Sequence, residues 1–290
     1  MGEQNVKGQL QGEQLRRFTR SLLNDVKALE ELLDSNLIER GIRRIGAEQE
    51  LFLVDTAWSP APVAMEVLAE LDNADFTTEL GRFNLEFNLQ PLTFGGTCLR
   101  KMEESLANRL AAARRAARRC NSEAVLVGIL PTLTKEHLSI DNMTPSPRYY
   151  ALNEAMGDLR GSDYELQIAG IDEFYLKHDS VMIEACNTSF QVHFQVDPEE
   201  FPKFYNLAQA VAGPVLAAAS NAPLLFGKRL WRETRIALFQ QSVDTRRPTA
   251  HLRDVPGRVN FGHGWVNDSC LEVFREQIGR FKVLLQPDKP

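Results

Sequence analysis

The sequence predicts a mixed α+β protein in one domain. Two observations carry that expectation: three strand-like stretches each pair an apolar face with a polar one, and amphipathic helical stretches lie between them. The strands come first in the argument because their polar faces are unusual. Between them they present Glu, Asn, Gln and His where a solvated strand face normally carries Thr, Lys or Arg.

Taken in order, Leu15, Phe18, Leu22, Val26, Leu29 and Leu33 recur at three- and four-residue steps, which predicts a helix over 13–39 ended by Gly41. The first strand follows as Ile45-Gly46-Ala47-Glu48-Gln49-Glu50-Leu51-Phe52-Leu53. Side chains alternate along a strand, so Glu48 and Glu50 point the same way and Leu51 and Leu53 the other. Two like charges held side by side disfavour each other's ionisation, and a cation, a basic partner or shared protons would relieve them. A divalent metal is the most productive relief, although a half-exposed strand with a solvated Glu face satisfies this spacing equally well.

A short helix is expected over 63–71, and then Phe83, Leu85, Phe87 and Leu89 alternate with Asn84, Glu86 and Asn88. Asn competes for backbone hydrogen bonds and is depleted in strands. Two of them flanking a Glu suggest a ligand site, unless the amides only satisfy polar neighbours. Leu99, Met102, Leu106, Leu110, Ala113 and Ala117 mark a further helix, with acids in its early turns and arginines at its end, as the helix dipole favours. The apolar run 124–130 predicts a central, doubly covered strand. Residues 135–163 read as a long irregular loop, in which Arg148 is a candidate contact for an anionic substrate or simply a surface arginine.

The third strand, 189–196, places Phe190, Val192, Phe194 and Val196 on one face and Ser189, Gln191, His193 and Gln195 on the other. A lone histidine is usually structural. His193 lies in a polar row, however, and imidazole serves both as a metal ligand and as a donor to phosphate oxygen. An apolar helix is expected after Pro198, with 210–226 read as a buried helix and its exit. Arg229, Arg232, Arg235, Arg246 and Arg247 follow, suited to a bidentate grasp of carboxylate or phosphate, with surface ion pairing as the plainer role. The last helix is expected through Leu271, Phe274, Ile278 and Phe281.

Composition sets the limits. The 290 residues are 43% hydrophobic and 25% charged, as in an ordinary soluble protein, and the net charge of −6 gives no reason to expect nucleic-acid binding. Cys98, Cys120, Cys186 and Cys270 are too scattered for a zinc site or a disulfide framework, which fits reduced thiols in a cytoplasm. The polar N-terminus lacks a signal-peptide core, and the stretch 210–226 is shorter than the roughly 20 apolar residues of a membrane span. Without an internal repeat or a low-complexity linker, residues 1–290 are read as a single domain.

These stretches together resemble the glutamate-cysteine ligase type 2 family, carboxylate–amine ligases related in fold to glutamine synthetase. The likeness rests on Gly46-x-Glu48-x-Glu50, on Glu79 through Glu86-x-Asn88-x-x-Pro91, on Gln191-Val192-His193, and on Ser220-Asn221-Ala222-Pro223 followed by Arg235. It runs in order over roughly residues 13 to 285. The resemblance implies a curved antiparallel sheet forming a funnel with helices on its outer face. It implies an ATP-dependent ligase that activates the side-chain carboxylate of glutamate as an acyl phosphate and joins it to an amine such as cysteine, as in glutathione biosynthesis.

By the same resemblance, Glu48, Glu50, Glu79, Glu86 and His193 would hold magnesium, or manganese in its place. Arg235, with Arg232 and Arg246, would meet the phosphates of ATP; Asn88 and Gln191 would contact substrate; and Arg235 and His193 would act on the transferring group. Members of the family continue into a strand bearing Arg-x-Glu-x-Arg, which is not found before Pro290. The expectation is therefore an incomplete catalytic domain, with a second copy or another partner completing the sheet. A catalytically silent glutamate- or nucleotide-binding or regulatory module is the alternative.

Overall fold

The computed structural model describes residues 6–7, 12–247 and 256–287. Its elements in chain order are β1 (Val6–Lys7), α1 (Glu13–Asp34), β2 (Arg44–Val54), α2 (Ala64–Leu71), β3 (Phe76–Thr78), β4 (Asn84–Thr93), α3 (Cys98–Arg119) and β5 (Glu123–Val125). There follow α4 (Pro147–Arg160), β6 (Tyr164–Ala169), β7 (Glu173–His178), β8 (Phe190–Phe194), α5 (Phe201–Ala218), β9 (Leu224–Leu225), β10 (Lys228–Arg229), α6 (Arg235–Ser242), α7 (Leu271–Arg280) and β11 (Gln286–Pro287). The architecture is mixed α and β with antiparallel sheets.

The first acidic stretch is the centre of the five-stranded sheet. One edge of β2 pairs with β4, which in turn pairs with β3. Its other edge is divided: β8 pairs with residues 45–49 and β5 with residues 52–54. Three further pairs, β1 with β11, β6 with β7 and β9 with β10, form separate two-stranded sheets.

Alternation gives the sheet two unlike faces. Leu51, Leu53, Leu85 and Phe87 are packed with Val67 of α2 and Met102, Ala113 and Ala117 of α3 in one core. On the opposite face Phe52 and Val54 belong to a second core with Tyr164, Leu166, Phe174 and Met182, and the rings of Phe52 and Phe83 stack 6.3 Å apart. Leu51 to Val54 are fully buried, each contributing about 1.5–3 kcal/mol by its removal from water. That anchor fixes the neighbouring acidic half of β2, whose Glu48 and Glu50 share the face of Phe52.

Several expectations are corrected. Helix α1 stops at Asp34, five residues short of the expected end, because the chain turns at Asn36 with φ of 56°. The run 124–130 is not a central strand. Only 123–125 pairs, since β8 occupies the rest of that edge, and Ile129 and Leu130 leave the sheet to plug the second core. The supposed loop 135–163 contains α4, started by Pro147 at its first turn and closed by Gly161 with φ of 70°. Residues 164–178, unassigned from the sequence, form the β6–β7 hairpin, with Tyr164, Leu166 and Ile168 buried on one face.

The apolar face of β8 is covered only at Phe194, whose ring meets those of Phe94 and Phe204. Phe190 is 45% and Val192 55% exposed, and β8 is an edge strand among the described residues. Helix α5 is likewise no buried helix: only Pro202 is enclosed, and Leu207, Val211 and Val215 face outward. Among the described residues, no helix is long and apolar enough to cross a membrane.

Candidate metal centre

The register of the sheet assembles the site. Glu50 lies opposite Glu86; Glu48 lies opposite Asn88 on one side and Gln191 on the other; His193 lies opposite Gly46. Glu79 arrives from the turn after β3, where its carbonyl accepts a hydrogen bond from the Thr144 hydroxyl and Gly81 bridges to Met143. One carboxylate oxygen from each of Glu50, Glu79 and Glu86 then falls within 4.8 Å of the others. Glu48 is 8% and Glu86 3% exposed, and the Nε2 of His193 stands 3.7 Å from a Glu48 oxygen.

The amides of this face orient the acids. Asn88 Nδ2 donates to Glu86 Oε1 at 3.1 Å, and Gln191 Nε2 donates to Glu50 Oε1 at 3.4 Å. The backbone amide of Ser189 donates to the other Glu50 oxygen at 2.8 Å. A cavity of about 790 Å³ opens beside Glu48, Asn88 and His193 and extends past Thr77, Asp75 and Gln195.

So many acids in one enclosure resist ionisation. Withdrawal from water, reinforced by the charges of Glu184, Glu50 and Glu86, pushes Glu79 up to about 9. Glu50 is also raised by burial, against the opposing hydrogen bond from Ser189. Glu184 is raised to about 7 by burial and by Glu50, and Tyr149, whose hydroxyl donates to the Thr78 carbonyl, to about 12 by burial and by Glu79. Three converging hard-oxygen donors that a cation would let ionise together fit magnesium or manganese, with Glu48 and the imidazole of His193 beside them.

The arginines are placed differently. The guanidinium of Arg235 is gripped by both oxygens of buried Glu233, at 2.6 and 2.7 Å, and by the Thr188 carbonyl at 2.7 Å. It lies across Gly128, where a Cβ would sit 2.8 Å from Nε. It is thereby one residue from the Ser189 amide that holds Glu50. Arg246 is engaged by Asp244, Arg232 is exposed, and Arg148, in the first turn of α4, stands 5.9 Å from the ring centroid of Tyr149.

The family model described as glutamate-cysteine ligase family 2 matches residues 44–270. The chain belongs to glutamate-cysteine ligase family 2. No curated protein matches it. The match to glutamate-cysteine ligase family 2 starts at the first residue of β2 and ends just before α7, so every residue of the acidic face lies inside it. Membership gives the chain a ligase-type fold.

Sequence reasoning gave no role to three contributors: Glu184, Tyr149 and Glu233. Glu184 had a legible signal, since it is the one charged residue in the turn Val181–Cys186, as Glu48 and Glu50 are in their apolar strand. Glu233 had none, because its value lies in where Arg235 folds back.

Proposed function

We propose that the chain is an ATP- and magnesium-dependent carboxylate–amine ligase acting on the side-chain carboxylate of glutamate, with an amine such as cysteine as acceptor. The convergence of Glu50, Glu79 and Glu86 on one polar sheet face carries this reading, together with the family. In the same proposal the five-stranded sheet is one wall of a glutamine synthetase-like funnel.

The reaction has two steps. An oxygen of the glutamate side chain attacks the γ-phosphorus of ATP, the bond to the β,γ-bridging oxygen breaks, and ADP departs. The amine nitrogen then attacks the carbonyl carbon, the bond from that carbon to the phosphoryl oxygen breaks, and phosphate leaves as the nitrogen loses its proton. Bound to Glu48, Glu50, Glu79, Glu86 and His193, magnesium or manganese ions would supply the positive charge that lets ATP approach four carboxylates and that balances charge on the transferring group.

The chain's own residues position that charge. Asn88 aims Glu86, and Gln191 with the Ser189 amide aims Glu50. Arg235, locked by Glu233 and Thr188, adds a fixed cation near that amide without reorganising during the reaction. Phe52, on the same face of β2 as Glu50, stacks on Phe83 in the second core.

Glu48→Gln and Glu86→Gln are expected to lower ADP release about 100-fold or more while leaving far-UV circular dichroism unchanged. Retention of most activity in both variants sinks the metal assignment. The prior engagement of Arg235 by Glu233 favours a second reading, a silent module that binds glutamate or nucleotide without transfer. Calorimetry with glutamate and a non-hydrolysable ATP analogue separates the two: binding without turnover in any amine supports the module, and turnover excludes it.

A further inference from the structure

Helix α1 carries an apolar stripe without a core to enter. Leu15, Phe18, Leu22, Val26, Leu29 and Leu33 lie within an arc of about 80° along its 22 residues, which is about 33 Å of helix. Yet none of its residues is buried, and the stripe belongs to neither hydrophobic core. The stripe of α3, by contrast, delivers Met102, Ala113 and Ala117 to a core. Helix α7 lies alongside α1, its Arg275 meeting one oxygen of Glu30 at 3.1 Å with both side chains half exposed.

The charges of α1 indicate what the stripe meets. Residues 13–22 carry Arg16, Arg17 and Arg20 against Glu13, whereas residues 23–34 carry Asp25, Glu30, Glu31 and Asp34 against Lys27, and all of these are exposed. That order opposes the helix dipole, because the last turn of α1 holds acids and no base, whereas α3 ends on Arg118 and Arg119. An order that is unfavourable within one helix is favourable against an antiparallel copy, which sets each basic half beside an acidic one. A nucleic acid or an anionic lipid surface would instead be repelled by the acidic half.

The margin of the stripe fixes the register. Arg16, Leu23 and Glu30 stand at seven-residue steps on one side of it, and Leu23, midway between the two charges, is half exposed. In an antiparallel helix pair like margins face each other, so a two-fold axis at Leu23 sets Arg16 of each copy opposite Glu30 of the other. A parallel pair would set this margin against the opposite one, which carries Gln14, Ser21 and Ala28 and offers no complement. We propose that α1 is a self-association surface that takes a second copy of this chain, antiparallel about a two-fold axis at Leu23 and stripe on stripe. The proposal does not depend on the ligase reading, because α1 carries none of the acids of the sheet face.

Sedimentation of the full chain tests it. The natural chain should sediment as a dimer of twice 32.7 kDa. Leu22→Asp should be monomeric with unchanged near-UV circular dichroism, since Leu22 lies in neither core. Arg16→Glu and Glu30→Arg, both at exposed positions, should each raise the dimer dissociation constant at least about tenfold, because each copy then meets two like-charge contacts. An equimolar mixture of these two variants should dimerise as tightly as the natural chain, since both contacts are then complementary. A natural chain that stays monomeric up to about 100 μM overturns the proposal. So does a dimer that folded Leu22→Asp leaves intact, or a mixture that associates no better than its two components alone.

Discussion

His193 illustrates how a single side chain divides chemistry from stability. Its ring is half exposed, within 3.7 Å of Glu48, and it packs in neither core. Replacing it by alanine removes a polar contact and opens no apolar void, so His193→Ala should lower turnover at least about tenfold while moving the melting temperature by less than about 2 °C. A turnover assay beside thermal melting decides, and a large drop in melting temperature with normal turnover would refute its site role. At this scale the acids of the strands were legible because strand alternation is local: Glu48 and Glu50 share one face of β2, and Glu86 shares one face of β4 with Asn84 and Asn88, whereas the register that sets Glu86 opposite Glu50 belongs to the sheet. The engagement of Arg235 by Glu233 was not legible, since two residues apart they meet only because the chain folds back beside Gly128.

Among the elements, the β6–β7 hairpin is docked through its turn onto β10 and Leu230. Asp172 pairs with Arg229, and Trp231 Nε1 donates to the Ala169 carbonyl at 2.8 Å. A Cβ on Gly170 would lie 2.5 Å from Leu230 Cα, backbone that has no flexible end to yield. Gly170→Ala should therefore cost about 1–3 kcal/mol in urea unfolding. Gly157, inside α4 with nothing within 4 Å of its added Cβ, should instead gain about 0.5–1 kcal/mol on replacement by alanine. Equal effects of the two changes would contradict the docking. The strands that bear the site and helices α2 and α3 were readable from period alone. Helix α4 was obscured because its buried residues Tyr149, Ala155, Met156 and Arg160 make a weak apolar stripe, leaving only the Ser146-Pro147 start and the Gly161 stop as signals. The run 124–130 misled for the opposite reason, since strong hydrophobicity marks burial without saying whether sheet or loop delivers it.

For the whole molecule, the crowded acids make stability depend on pH in a defined direction. Glu79, raised from 4.5 to about 9, and Glu184, raised to about 7, hold protons in the native state that the unfolded chain has already released. The native state therefore binds more protons between about pH 4.5 and 9, and stability is full below that window and falls as pH rises through it. Glu39 and Asp172, lowered to about 2 by their arginines, act only at more acid pH and do not offset the trend. The metal-free chain should lose melting temperature steadily from pH 5 to pH 9, and saturating magnesium should flatten that slope by taking the place of the protons. A metal-free melting temperature that rises with pH would contradict the electrostatics assigned to the site. The account's central claim, that this acidic sheet face carries out acyl-phosphate ligation, is tested most directly with glutamate labelled with ¹⁸O in its side-chain carboxylate, supplied with ATP, magnesium and an amine. The expected result is one labelled oxygen in the phosphate released per turnover by the natural chain and none from Glu86→Gln, whereas unlabelled phosphate, or ADP formed equally without glutamate, would contradict it.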